Sequence, residues 1–157
     1  MIRALCLALG LSLAGSPLWA EVVVNYAALA NSHDPDLRTE SDRRTVAAEL
    51  DRRIQRLGER YLKPGEVLHI QITRLDLAGQ YEQWRTGWQD VRILRDITPP
   101  RIHLHYTLFQ NGKPIRQGTA QLSDINYLSD PRARGDDERL IHEKLLLDDW
   151  FRKTFRP

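Results

Sequence analysis

The stretch Arg101–Leu122 constrains the chain most: RIHLHYTLFQ, then Asn111-Gly112, then KPIRQGTAQL. Asn-Gly between two extended runs is the strongest short-range hairpin signal, because a tight turn of the right hand needs positive φ at both central residues. In the first arm Ile102, Leu104, Tyr106 and Leu108 alternate with His103, His105 and Thr107, as expected of a half-buried strand. Two registers compete for the second arm. A two-residue loop sets Leu108 beside Ile115 but leaves Ile102 and Leu104 opposite Gln121 and Thr119. A three-residue loop, Gln110–Gly112, with Gly112 in a left-handed bulge, sets Ile102 opposite Ala120 and Leu104 opposite Gly118. A one-residue slip moves every side chain to the other face. The bulged register is preferred, since it gathers Leu122, Ala120 and Gly118 with the aliphatic row, although it places Arg116 beside Tyr106.

The N-terminus reads as a targeting segment. Met1-Ile-Arg3 is a short basic region, and Ala4–Ala14 is apolar but too short to span a bilayer. Gly15-Ser-Pro-Leu-Trp-Ala20 then supplies a helix breaker and a small residue, so residues 1–20 resemble a secretory signal cleaved after Ala20. Residues 21–157 are then one domain, of a length that supports a single core. The one cysteine, Cys6, leaves with the signal, so no disulfide, thiol nucleophile or thiolate metal site is expected in the mature chain. Export points to the periplasm. Only Arg3 is lost from a net charge of +2, and so even a balance argues against nucleic acid as a partner. No second apolar run approaches membrane-spanning length, and the mature chain is expected to be soluble.

Val22–Tyr26 is β-branched and reads as a first strand. Thr39 or Ser41 can cap a following helix of about five turns, with Val46, Leu50, Ile54, Leu57 and Tyr61 on its apolar face. Lys63-Pro64-Gly65 stops it. Its other side carries Arg43, Arg44, Arg52, Arg53, Arg56 and Arg60 interleaved with Glu49, Asp51 and Glu59, which reads as a solvated face. Glu66–Leu75 alternates as a second strand. Asp76–Asp90 is a long connection, Val91–Arg95 a further strand, and Asp136 or Asp137 opens a second helix with Glu138 in its first turn. That helix should bury Leu140, Leu147, Trp150, Phe151, Thr154 and Phe155. The order β–α–β–β–β–β–α predicts a two-layer α+β domain: an antiparallel sheet of four or five strands with two helices on one face.

Several phrases then look familiar together: Asp76-Leu-Ala-Gly79, Asp90-Val-Arg92, Arg95-Asp96-Ile97 with Pro99-Pro100-Arg101-Ile102, Leu122-Ser-Asp124, Asn126-Tyr127 and Asp148-Asp149-Trp150-Phe151. They resemble an uncharacterised family of exported proteobacterial proteins, domain of unknown function 3016. The resemblance runs from about Val22 to Phe155. It implies an exported domain and brings no activity, substrate, cofactor or catalytic residue.

Three constellations carry chemistry. His69, His103 and His105 fall on the open face of the sheet and are candidate ligands for Zn²⁺, Ni²⁺ or Cu²⁺, which would make the chain a metal- or small-ligand-binding accessory protein. Ser123-Asp124 with His142 suggests a hydrolase but lacks a nucleophile elbow, and no catalysis is expected. A half-buried Asp148 calls for an arginine from residues 92–101. The long connection is the better clue: Tyr81, Trp84, Arg85 and Trp88 are residue types enriched where proteins meet partners. The leading expectation is a non-catalytic binding domain for an envelope protein or a cell-wall or saccharide component. Trp84 and Trp88 packed against the sheet edge are the structural alternative.

Overall fold

The computed structural model describes residues 19–82, 91–135 and 138–156. Its elements are β1 (Glu21–Asn25), α1 (Glu40–Tyr61), β2 (Glu66–Asp76), β3 (Gln80–Tyr81), β4 (Arg92–Ile93), β5 (Arg101–Gln110), β6 (Lys113–Ser123) and α2 (Ile141–Phe155), with short 3-10 turns between them. The main sheet has the order β1-β2-β5-β6, and both helices cover one of its faces. The fold is α+β, as expected, but the sheet is mixed.

β1 and β2 run parallel, with Val22 beside Leu68 and Val24 beside Ile70. Parallel neighbours require a crossover of a dozen or more residues, and α1 is that crossover. β2 next pairs antiparallel with β5, not with the strand that follows it in sequence. The strand expected at 91–95 shrinks to Arg92–Ile93 and leaves the main sheet to pair with β3.

α1 starts where local chemistry predicts. The Thr39 hydroxyl accepts from the Asp42 N–H at 3.1 Å, and the Asp42 carboxylate accepts from the Thr39 N–H at 3.1 Å, a complete capping box. Val46, Leu50, Ile54 and Leu57 are buried against Leu68, Ile70, Ile72, Ile102 and Leu104. α2 adds Leu147, Trp150, Phe151 and Phe155, with Trp150 and Phe155 edge-on to Tyr106 at 5.5 and 5.8 Å. α2 opens later than the acidic run suggested. Its N-cap is Leu140, at φ 60°, which puts Glu138 before the helix; Asp136 and Asp137 lie outside the described residues.

The hairpin adopts neither expected register: the preferred three-residue loop does not form, and the expected Ile102–Ala120 and Leu104–Gly118 pairs are replaced. Gln110 pairs with Lys113 across a two-residue turn, with Asn111 at φ 52° and Gly112 at φ 74°. The slip comes one step further on, where Ile115 bulges out of β6, so that Ile102 faces Leu122, Leu104 faces Ala120 and Tyr106 faces Gly118. Gly118, Ala120 and Leu122 do join the aliphatic row, but Arg116 ends beside Leu108. Displacing one bulky residue, Ile115, reconciles the tight turn with an apolar inner face.

A methyl group added at Gly112 would meet nothing within 4 Å, whereas one at Gly79 (φ 77°) would lie 2.6 Å from the Ile93 carbonyl oxygen. Gly112→Ala should therefore cost only the left-handed backbone penalty, about 1 kcal/mol, and Gly79→Ala about 3 kcal/mol. Urea unfolding checks the ranking; equal losses would contradict the close packing of Gly79 on β4.

Candidate functional site

The C-terminal ends of β1 and β2 open towards one end of the sheet, the side on which parallel strands commonly place ligands. The β1–α1 connection, the end of β2 and the β3–β4 ribbon meet there around Arg92. Its Nε donates to Asp36 Oδ2 at 3.0 Å, its Nη2 to Asp34 Oδ1, and its Nη1 to the carbonyl oxygens of Gly79 (2.9 Å) and Ala78 (3.3 Å). The Tyr81 hydroxyl donates to Asp36 Oδ1 at 2.7 Å, and the guanidinium lies 5.0 Å from the Tyr81 ring centre. Asp34 is held in turn as the cap of a 3-10 turn at Pro35–Leu37, where it accepts from the Asp36 N–H. One guanidinium thus joins three segments far apart in sequence, using its planar fork on two carboxylates.

The clasp separates two clefts. One, of about 540 Å³, is lined by polar groups of the β1–α1 connection (Asn31, Ser32, His33, Asp34) and of the end of β2 (Thr73, Arg74, Asp76). The other, of about 320 Å³, lies between the ribbon and the start of α2 and is lined by Asp36, Arg92, Leu94, Leu140, His142 and Glu143 among others. Glu143 is 2 % exposed, and its Oε1 accepts from the Ala78 N–H at 2.7 Å. Burial raises its pKa above the ordinary carboxylate range, against the opposing pull of the Ala78 and Glu143 N–H groups and of Arg92. A second buried acid, Glu82, follows β3 directly and pairs with Arg95.

The structure distributes the sequence-derived candidates unevenly. His69 and His105 lie on the open face, where His69 pairs with Thr107 and His105 with Gln71, and both line a shallow cleft of about 380 Å³. His69 packs against Phe109 at 4.9 Å between ring centres, and His103 faces Arg74. Among the described residues no three His, Cys, Asp or Glu side chains gather as a metal site, so the three histidines share a face without converging. Asp124 and His142 line one small recess with Tyr127, Asp130 and Arg132, while Ser123 is not part of it. Burial lowers the His142 pKa, and its Nδ1 has no partner among the described residues. Tyr81 sits inside the clasp. Trp84, Arg85 and Trp88 lie outside the described residues.

Asp148 takes its arginine from α1, not from residues 92–101. Arg53 donates to both its oxygens, with Nε at 2.7 Å from Oδ1. Arg92 and Arg95 serve the clasp and Glu82 instead. Asp34-Pro35-Asp36 reads as loop chemistry in sequence, and its union with Arg92 was not foreseen; the available signal was an acidic pair in one connection and a lone arginine in another.

Glu143 yields a pH prediction. Below about pH 4.3 the carboxyl is protonated in both folded and unfolded chains. Above it the unfolded chain ionises first, so stability is lost as pH rises from about 4.3 towards the raised folded-state value. Glu143→Gln keeps an acceptor for Ala78 and removes the charge. It should gain on the order of 1 kcal/mol at pH 7 and nothing near pH 4. Urea unfolding at the two pH values decides; a loss at pH 7 would mean that Arg92 requires the Glu143 charge.

Among the described residues no helix is long and apolar enough to cross a membrane. No curated protein and no solved structure matches the chain. A family profile described as Protein of unknown function (DUF3016) matches residues 20–153, which take in every element from β1 through most of α2. The chain belongs to that family.

Proposed function

We propose that the chain is an exported, non-catalytic binding domain that meets a protein partner of the cell envelope with the clasped end of its sheet. The carrying observation is that, of the seven large aliphatic residues exposed among the described residues, all but Val23 on β1 and Ile115 on β6 lie there. Val91, Leu94 and Ile97 are 43 %, 42 % and 75 % exposed, all on or beside β4, and Ile125 and Leu128 are 72 % and 46 % exposed on the turn after β6. The Tyr127 hydroxyl donates to the Arg95 carbonyl oxygen at 2.7 Å and holds that turn against the ribbon. Large apolar side chains left in water at one end of a small domain are characteristic of an interaction surface.

In sequence, Trp84, Arg85 and Trp88 fall between Glu82 and Arg92, and those two residues are fixed at this end by ion pairs. Anchors of this kind cut the ordering cost of binding, and Trp and Arg are frequent hot spots. Aliphatic exposure favours a protein over a saccharide. Export is supported by β1, which begins at Glu21, the residue after the expected cleavage site, and by a family match that starts at residue 20. A non-catalytic role is favoured by the engagement of the acids beside Arg92, which are tied to it or to backbone N–H groups.

The test is capture. Protein recovered from the periplasm of an expressing cell should begin at Glu21 by intact mass. Immobilised, it should retain an envelope protein that Ile97→Asp and the double variant Trp84→Ala, Trp88→Ala each release by tenfold or more while melting as the parent does, roughly what one lost hot spot removes. Unchanged capture by both variants would refute the surface, and several kcal/mol of lost stability in the tryptophan variant would make those indoles part of the core.

A further inference from the structure

The arginine-rich side of α1 is not simply a solvated face. α2 and the turn at Pro131–Ala133 stand opposite its C-terminal half and close it into a groove of about 370 Å³. Arg53, Arg56, Arg60 and Tyr61 line it from α1, Arg132 from the turn, and Asp148, Asp149 and Arg152 from α2. This groove involves neither the clasp nor the aliphatic end.

The charges in it are unequal. Arg53 is engaged by both oxygens of Asp148. Arg132 is gripped by Asp130 and Asp149, with contacts of 2.7–3.1 Å, and Arg152 reaches Asp149 at 2.8 Å. Counting Asp130 behind Arg132, five arginines meet three carboxylates. The excess belongs to Arg56 and Arg60, which have no carboxylate partner among the described residues. Arg60 instead lies over the Tyr61 ring at 5.4 Å. Glu59 is their neighbour in sequence but is not among the lining residues.

Arg56 and Arg60 are four residues apart, hence on the same side of the helix and about 6 Å apart along its axis. Two guanidinium forks at that spacing, flanked by arginines whose orientation is already set by aspartates, match two neighbouring phosphate groups. We infer that the groove between α1 and α2 is a binding site for an anionic ligand that carries a pyrophosphate or two adjacent phosphates. The ligand is either a soluble diphosphate or a diphosphate lipid headgroup, and the chemistry of recognition is the same for both.

The purified protein is titrated with inorganic pyrophosphate by calorimetry, and separately with phosphatidylcholine vesicles with and without cardiolipin, whose headgroup carries two phosphates. The double variant Arg56→Gln, Arg60→Gln is compared with Arg44→Gln, Arg52→Gln, which removes equal charge from the same helix outside the groove. Saturable pyrophosphate binding that falls at least about tenfold in the groove variant, and not in the control, supports a soluble ligand. Binding confined to cardiolipin vesicles with that same dependence supports a lipid headgroup. Absence of binding in both arms, or equal losses in the two variants, overturns the site.

Discussion

One guanidinium holds one end of this domain together. Arg92 donates to Asp34 and Asp36 of the β1–α1 connection and to two carbonyl oxygens beyond β2, with Tyr81 stacked on it. No lysine could replace it, because its donors lie in one plane and serve four acceptors at once. The consequence is topological. The chain leaves the main sheet after β2, forms the β3–β4 ribbon and returns as β5, and Arg92 is the tie that keeps this excursion against the crossover.

Other buried charges repeat the pattern between elements. Lys144, 1 % exposed on α2, meets Glu49 of α1 at 3.1 Å and Glu138 at 2.7 Å. Arg53 of α1 meets Asp148 of α2, and Glu143 of α2 takes the Ala78 N–H beyond β2. Pairs of this kind add little net stability over apolar packing, yet breaking one leaves a charge without a partner. They therefore fix which face of α2 sits on the sheet and how it lies beside α1, while the aliphatic and aromatic core supplies the driving force.

The parts legible in the sequence were those set by local periodicity. The alternation of β5, the apolar stripe of α1 and its Thr39 cap, and the positive φ of Gly112 all follow from neighbours within a few residues. What was misread depends on distant partners. The parallel β1–β2 pair leaves no local mark, although a strand–helix–strand order is its natural setting. The Ile115 bulge was invisible because each register was weighed as uniform along the arm. Asp148 was expected to find an arginine from residues 92–101; it took Arg53 of α1 instead, while Arg92 went to Asp34 and Asp36. The arginines of α1 read as solvated because the opposite wall of their groove comes from residues 132–152, far along the chain.

The central claim, that Arg92 couples the crossover to the ribbon, is most directly tested by a double-mutant cycle of Arg92→Gln and Asp36→Asn, read by urea unfolding. Coupling of about 1 kcal/mol or more is predicted, with each single change costing nearly as much as the pair together. Additivity within about 0.3 kcal/mol would contradict it, and would mean that the ribbon is held by its own packing.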